Sequence, residues 1–180
     1  MTSSKADISA HKLSALAVTP SAIFRQAMAQ ITAAVHVITT AGLSGRRGLT
    51  ASAVTSLSDT PAMMLACIHA DSQTLAAIEA NGMFCINALS GQDQDVAEVF
   101  AGRRGLTGEE RFSIGAWQTL TTGAPALTTA LINFDCRLIE ARTMATHRIV
   151  IGEVVALSGH GLGEASSEGL IYRNRHFGRF

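Results

Sequence analysis

The chain has 180 residues, of which 47% are hydrophobic and 16% charged, and its 14 Lys and Arg residues balance its 14 Asp and Glu residues. This length is typical of one globular domain with a substantial core. The zero formal charge argues against a nucleic-acid-binding protein and against polybasic attachment to a membrane, and no apolar run is long enough to cross one. An apolar-rich, neutral surface favours burial in an oligomer.

The N-terminal residues 1–18 lack the apolar stretch of a signal peptide, and we expect them to form a flexible tail before a single domain over 19–180. Three cysteines, Cys67, Cys85 and Cys136, form no C-x-x-C pair, and each lies in an apolar run. An odd number of cysteines in such runs is typical of reduced core thiols, which predicts a cytoplasmic protein.

The first helix is predicted over residues 20–34. Thr19 is placed to cap it and Pro20 to occupy its first turn, and apolar residues then recur at helical spacing. The β-branched run Val35–Thr40 predicts a strand.

The next predicted strand, over 48–58, is the most informative segment of the chain. Its alternation puts one set of side chains on a core face: Leu49, Ala51, Ala53, Thr55 and Leu57. The opposite face carries small, mostly hydroxyl side chains: Thr50, Ser52, Val54, Ser56 and Ser58. A wall of small side chains lets a flat, hydrogen-bonding ligand approach the backbone.

The remaining pattern alternates short strands with two short helices before becoming mostly β. Ser72 is predicted to cap a helix over 73–80 that closes at Asn81–Gly82. The other predicted elements are strands at Met63–Ile68 and Met83–Leu89, a helix at Gln92–Phe100, and several strands between Ala116 and Leu157. Many short strands with few helices favour an antiparallel barrel, with a parallel α/β domain as the alternative.

The common catalytic motifs are missing. The chain has no P-loop, no G-x-G-x-x-G that opens a helix, no G-x-S-x-G and no H-E-x-x-H, and its histidines show no metal-ligand spacing, so no metal is predicted. His147 begins a predicted strand. From the residues alone it is either a ligand-binding residue at a barrel mouth or a solvent-facing strand end. Arg173 and Arg175 are likewise either binding residues or part of a solvated tail.

Several segments in order resemble the short-chain flavin reductase family, the reductase components of two-component flavin-dependent monooxygenases. The resemblance extends from about Phe24 to Phe177, and it is nearest to the reductase component of 4-hydroxyphenylacetate 3-monooxygenase. The segments that carry it are Phe24–Met28, Gly48–Val54, Asp59–Pro61, Phe84–Asn87, Glu110–Ser113 with Trp117, Thr146–His147 and Gly169–Tyr172.

This resemblance implies a mainly β (α+β) fold: an FMN-binding split β-barrel of Greek-key type with a few peripheral helices, assembled as a homodimer. It implies reduction of FMN or FAD by NADH, with NADPH as the open alternative, to supply a partner monooxygenase. The flavin itself carries the hydride, so the protein needs no strong acid or base. One alternative is a flavoprotein that keeps its flavin and reduces another acceptor, such as the cobalt of a corrin. Another is a non-enzymatic flavin-binding or storage protein.

The resemblance also implies the site residues. His147 is the predicted catalytic residue and contacts the nicotinamide nucleotide, while Ser72 at a helix N-terminus receives the flavin phosphate. The other predicted cofactor-binding residues are Arg47, Thr50, Ala51, Ser52, Ala53, Val54, Thr55, Cys67, Ile68, His69, Thr74, Asn87, Tyr172 and Arg175. Two positions depart from the family: His69 stands where close relatives often carry Asn, and Ala145 replaces a glycine.

Overall fold

A computed structural model describes residues 18–160 and 168–180, so the predicted tail lies outside the described residues except for Val18. The helices are α1 (Ser21–Met28), α2 (Gln73–Asn81), α3 (Gln94–Phe100) and a 3₁₀ helix (Gly108–Ser113). The strands are β1 (Ala33–Ala34), β2 (His36–Thr40), β3 (Arg47–Ala51), β4 (Val54–Asp59), β5 (Ala62–His69), β6 (Met83–Ala88), β7 (Trp117–Thr119), β8 (Pro125–Leu127), β9 (Ile132–Met144), β10 (His147–Ser158), β11 (Leu170–Arg173) and β12 (His176–Arg179).

Seven of these strands form one curled sheet in the order β3-β2-β6-β9-β10-β5-β4. All its pairs are antiparallel, which confirms the predicted mainly β barrel and shows that the parallel α/β alternative is wrong. The two end strands, β3 and β4, follow one another in the chain through residues 52–53. There the amide of Cys67 donates a hydrogen bond to the carbonyl of Ala53 over 2.9 Å, which extends the β4–β5 ladder up to the end of β3. None of the described helices is long and apolar enough to span a membrane.

The two larger hydrophobic cores of the described residues lie on the two faces of this sheet. The barrel interior holds Ile38, Phe84 and Val150 together with Leu75 from α2. The outer core lies between the sheet and α3, where Val37 packs with side chains that include Val99, Phe100, Leu127 and Leu170. Because successive residues of a strand point to opposite faces, Val37 and Ile38 of β2 serve different cores.

The first helix is shorter than predicted and is unburied. Pro20, rather than Thr19, is its N-cap, α1 ends at Met28, and none of its residues is buried. The chain leaves the helix early because Ala33 and Ala34 must extend to pair with Tyr172 and Ile171 of β11. Strand pairing therefore overrides the helical periodicity beyond Met28.

The predicted strand over 48–58 is two strands, β3 and β4, separated at residues 52–53. The break arises because the chain leaves its β2 partner at Ala51 and joins β5 at Val54, opposite Ala66. The break also changes which side chains of this segment face the barrel core. Val54, rather than Ala53, packs on the barrel core with Leu49 and Ala51, so the predicted facing of Val54 and Ala53 is wrong.

Candidate functional site

Three clefts lie along β3, between Arg47 at its start and the break at residues 52–53. The first, here called the anion cleft, measures about 290 Å³ and lies between β3, the N-terminus of α2 and the 3₁₀ helix. The polar residues that line it are Arg47, Ser72, Gln73, Thr74, Thr107 and Arg111. The structure thus brings three of the predicted site residues, Arg47, Ser72 and Thr74, into one cavity.

The anion cleft is built from hydrogen-bond donors and positive charge. The Ser72 hydroxyl caps α2 by accepting the amide of Leu75 at 3.4 Å, and the amides of the first helical turn have no acceptor within the helix. The Arg111 guanidinium is fixed by donating to the carbonyls of Leu106 and Gly48, both at 3.1 Å. No carboxylate lines this cleft in the described part of the chain. Such a donor set fits a phosphate ester.

The second cavity, the ring cleft, measures about 170 Å³ and lies further along β3. Its near wall is made of Thr50, Ala51 and Ser52, and its far wall of Arg103, Tyr172 and Phe177. The Thr50 hydroxyl donates to the carbonyl of Ala97 at 2.7 Å, so it ties β3 to α3. Small side chains on one side and packed aromatic rings on the other form a slot for a flat ligand.

The third cavity, the outer cleft, measures about 540 Å³ and shares Ser52 and Tyr172 with the ring cleft. It is bordered by α1 and carries three arginines, Arg25, Arg173 and Arg175. Arg175 has φ +67° and follows Asn174 at φ +48° in the two-residue turn between β11 and β12. Glycine is the usual residue at the second position of such a turn, so the left-handed backbone conformation of Arg175 costs conformational free energy.

The geometry of β3 matches an extended nucleotide. From Arg47 to Ser52 the chain advances by about 17 Å, at about 3.3 Å per residue. β3 is one of the two end strands of the sheet, so alternate amides have no partner among the described strands. A single phosphate in the anion cleft and a flat, hydrogen-bonding ring in the ring cleft fit these residues. The antiparallel barrel and its aligned clefts are therefore suited to a nucleotide that carries one phosphate and a flat ring.

His147 lies outside the three clefts, on the rim of the barrel. It is the first residue of β10 and pairs with His69, the last residue of β5, with ring centroids 5.3 Å apart. The Thr146 hydroxyl lies 2.9 Å from its Nδ1. The preceding turn contains Ala145 at φ +52°, a conformation that glycine adopts without strain.

The remaining predicted site residues are dispersed around the three clefts. Ala53 lines the outer cleft, Thr55 is exposed on β4, and Cys67 is half-buried. Ile68 is a barrel-core side chain. Asn87 is fully buried, and its amide is already used in hydrogen bonds to the backbone of Val37 and Leu127. The structure therefore places Asn87 in the fold's interior rather than at a cleft.

Sequence reasoning missed several residues that line the clefts, chiefly Arg103, Arg111, Phe177 and Thr107. One sequence signal for the helix beside this cleft was present. Thr107 and Glu110 have the spacing of a capping box, and both of its reciprocal hydrogen bonds are formed, which starts the 3₁₀ helix beside Arg47. Nothing in the sequence places Arg103 opposite Ser52, because the two are joined only through the packing of α3 on β3.

Comparison with known proteins assigns the family. The chain belongs to the flavin reductase like domain family, whose model matches residues 28–180. It is 42% identical over 154 residues to "FMN reductase (NADH) RutF" of Methylorubrum populi, which covers 86% of this chain and 73% of that protein.

Solved structures agree with this assignment. BorF, the flavin reductase component of a bacterial two-component tryptophan halogenase, superposes with a TM-score of 0.80 at 26% identity over 89% of this chain and 98% of BorF. The Streptomyces globisporus NADH:FAD oxidoreductase SgcE6, in complex with NAD and FAD fragments, superposes with a TM-score of 0.79 at 25% identity over 92% of this chain and 97% of SgcE6.

Proposed function

We propose that this chain is an NADH-dependent FMN reductase that supplies reduced flavin to a partner monooxygenase. The observation that carries the proposal is the anion cleft, because its donors and guanidinium groups are aligned along β3 with a flat ring cleft. The similarity to a relative named FMN reductase (NADH) supports both the flavin and the hydride donor. The similarity to a reductase of a two-component halogenase supports delivery to a separate oxygenase.

The residues of the anion cleft would hold the phosphate of FMN. Ser72 and the first amides of α2 donate hydrogen bonds, and Arg47 and Arg111 neutralise the charge. Thr74 is buried at this same helix end. When bound, the flavin accepts a hydride from NADH, so the chain needs to hold the ring and the donor face to face rather than supply an acid or a base.

His147 is proposed to contact the nicotinamide nucleotide at the barrel rim. Its Nδ1 is engaged with the Thr146 hydroxyl, which orients the ring and leaves Nε2 for a ligand. Tyr172 lines both the ring cleft and the outer cleft, so a donor nucleotide that enters through the outer cleft would reach the flavin ring beside Tyr172. Arg175, held at the outer cleft by its turn, would bind a phosphate of that nucleotide.

A homodimer is also part of the proposal. The exposed apolar side chains Ile23, Phe24, Met28 and Ile31 form one patch on α1 and the residues after it, each between 47% and 58% exposed. An exposed patch of this kind is typical of an interaction surface. Because Phe24 and Met28 also line the outer cleft, a second copy seated on the patch would border the proposed nucleotide site.

The three free cysteines are typical of a protein in a reducing compartment, which we propose is the cytoplasm. All three are free, and Cys85 and Cys136 are fully buried. Burial raises the pKa of Cys136 to about 12 and raises that of Cys85 well above its usual range. These thiols therefore stay protonated and unreactive at neutral pH.

Anaerobic stopped-flow mixing of NADH with the FMN-loaded protein tests the function. We expect the flavin absorbance to bleach, and we expect multiple turnovers when free FMN is in excess, faster with NADH than with NADPH. Loss of turnover with free FMN, together with flavin that co-purifies and does not exchange, would favour the alternative that retains its flavin, and a corrin would then be tested as acceptor. Absence of bleaching with either donor would leave only a flavin-binding or storage protein.

A further inference from the structure

Arg103 occupies an unusual position on the far wall of the ring cleft. It follows α3, and its guanidinium carbon lies 5.6 Å from the ring centroid of Tyr172 and 5.3 Å from that of Phe177. One guanidinium nitrogen donates to the Tyr172 hydroxyl at 2.9 Å. Stacking on two rings and one hydrogen bond restrict the side chain, so its charge has a defined place beside the cleft.

Arg103 forms no ion pair with a carboxylate among the described residues, although the Glu98 carboxylate lies near enough for the Arg103 charge to contribute to lowering its pKa. Its neighbour Arg104 forms ion pairs with Asp95 at 2.7 Å and Glu98 at 2.6 Å. Among the residues the structure describes, Arg103 has no such partner, and no acidic side chain lines the ring cleft. The field of its guanidinium therefore acts on whatever occupies the cleft.

We propose that Arg103 is a binding residue that discriminates between the redox states of the flavin and holds the reduced anion more tightly than the oxidised ring. The inference rests on the proposed function. NADH delivers a hydride, one proton with two electrons, to neutral oxidised flavin, which leaves NAD⁺ and a reduced flavin that bears one negative charge. A fixed positive charge beside the ring stabilises the anion and leaves the neutral ring nearly unaffected.

The test compares Arg103→Met, Arg103→Lys and the matched control Arg104→Met. Dissociation constants are measured for oxidised FMN in air and for reduced FMN under anaerobic conditions, and the midpoint potential of bound FMN is measured independently. We expect Arg103→Met to weaken binding of reduced FMN about tenfold more than binding of oxidised FMN, the size of one lost hydrogen bond to a charged group. For a two-electron couple this lowers the midpoint potential by about 30 mV.

Arg103→Lys keeps the charge and should retain most of the preference, and Arg104→Met should behave like the wild type. Equal weakening of both redox states, or no change in either, would overturn the assignment and leave Arg103 a packing residue of the wall. Should Arg103→Met fail to fold, as judged by thermal unfolding, a loss of preference in Arg103→Gln is the equivalent test. Wild-type protein that binds no FMN would instead contradict the proposed function, so the two failures are distinguishable.

Discussion

The imidazole rings of His69 and His147 meet edge to face, with centroids 5.3 Å apart and planes at 71°. They meet because β5 ends where β10 begins, so the two residues face each other across a pair of antiparallel strands. Three residues after His69, Ser72 opens α2 at the anion cleft. The histidine pair therefore links the barrel rim to the phosphate end of the proposed flavin site.

His147→Ala is expected to raise the KM for NADH about tenfold, because one hydrogen bond to a charged nucleotide is lost. The dissociation constant for FMN should stay within about twofold of the wild-type value, since His147 lies outside the anion and ring clefts. Steady-state kinetics and flavin fluorescence measure the two quantities. His160→Ala is the matched control, and an unchanged KM with lost FMN affinity would contradict the assignment of His147.

Ser52→Phe should abolish FMN binding in the micromolar range, because Ser52 lines both the ring cleft and the outer cleft and a phenyl ring fills that approach. Ser44→Phe, on the exposed loop before β3, is the control and should bind FMN normally. Equilibrium dialysis against FMN measures the difference. Normal affinity in Ser52→Phe would mean that the ring does not approach this part of the chain.

The buried imidazole of His36 should make the fold sensitive to mild acid. Desolvation lowers its pKa from 6.5, and its Nδ1 has no hydrogen-bond partner among the described residues. The unfolded chain then binds the proton more readily, so stability is present above pH 6.5 and is lost as the pH falls through the lowered pKa. The slope contributed by one such group is at most about 1.4 kcal/mol per pH unit.

Urea unfolding at pH 7.5, 6.5, 5.5 and 4.5, a series set at about one-unit steps around the ordinary histidine pKa, checks this expectation. His36→Gln should show a flatter dependence of unfolding free energy on pH than the wild type, whatever its absolute stability. His160→Gln replaces an exposed histidine and should keep the wild-type slope. Parallel curves for wild type and His36→Gln would contradict the role of His36.

Gly48→Ala should destabilise the fold by about 1–3 kcal/mol, the usual cost of overpacking a core. A methyl group there would lie 2.5 Å from Cε1 and 2.7 Å from Cδ1 of Phe100, which packs α3 on β3. The lowered Tm, about 2–4 °C per kcal/mol, is read by thermal unfolding. Gly178→Ala is the control, because its added methyl group would lie 3.5 Å from the nearest atom. Equal Tm values for the two variants would show that the Phe100 ring moves aside without a loss of stability.

The elements with local signals were predictable from the sequence. Ser72 and Gly82 bracket α2 as predicted, with the serine hydroxyl on the Leu75 amide and Gly82 at φ +71°. The break at Ser52 was not predictable, because it depends on which strands pair with β3 and β4. The anion cleft was predictable in part: Arg47, Ser72 and Thr74 were expected at the cofactor site, whereas Arg111 was not, because it is distant in sequence and joins them only when the 3₁₀ helix packs beside β3.

The position of β3 at the end of the sheet has a consequence for the ligand-free protein. Among the described strands it pairs with β2 alone, so the row of amides and carbonyls that faces away from β2 has no strand partner, although the Gly48 carbonyl accepts a hydrogen bond from Arg111. Unpaired backbone groups at the edge of a sheet can template the addition of a strand from another chain. A nucleotide seated along β3 would cover that row. Bound flavin would then protect this strand edge in the folded protein, and depletion of flavin would leave the edge open to pairing with another chain.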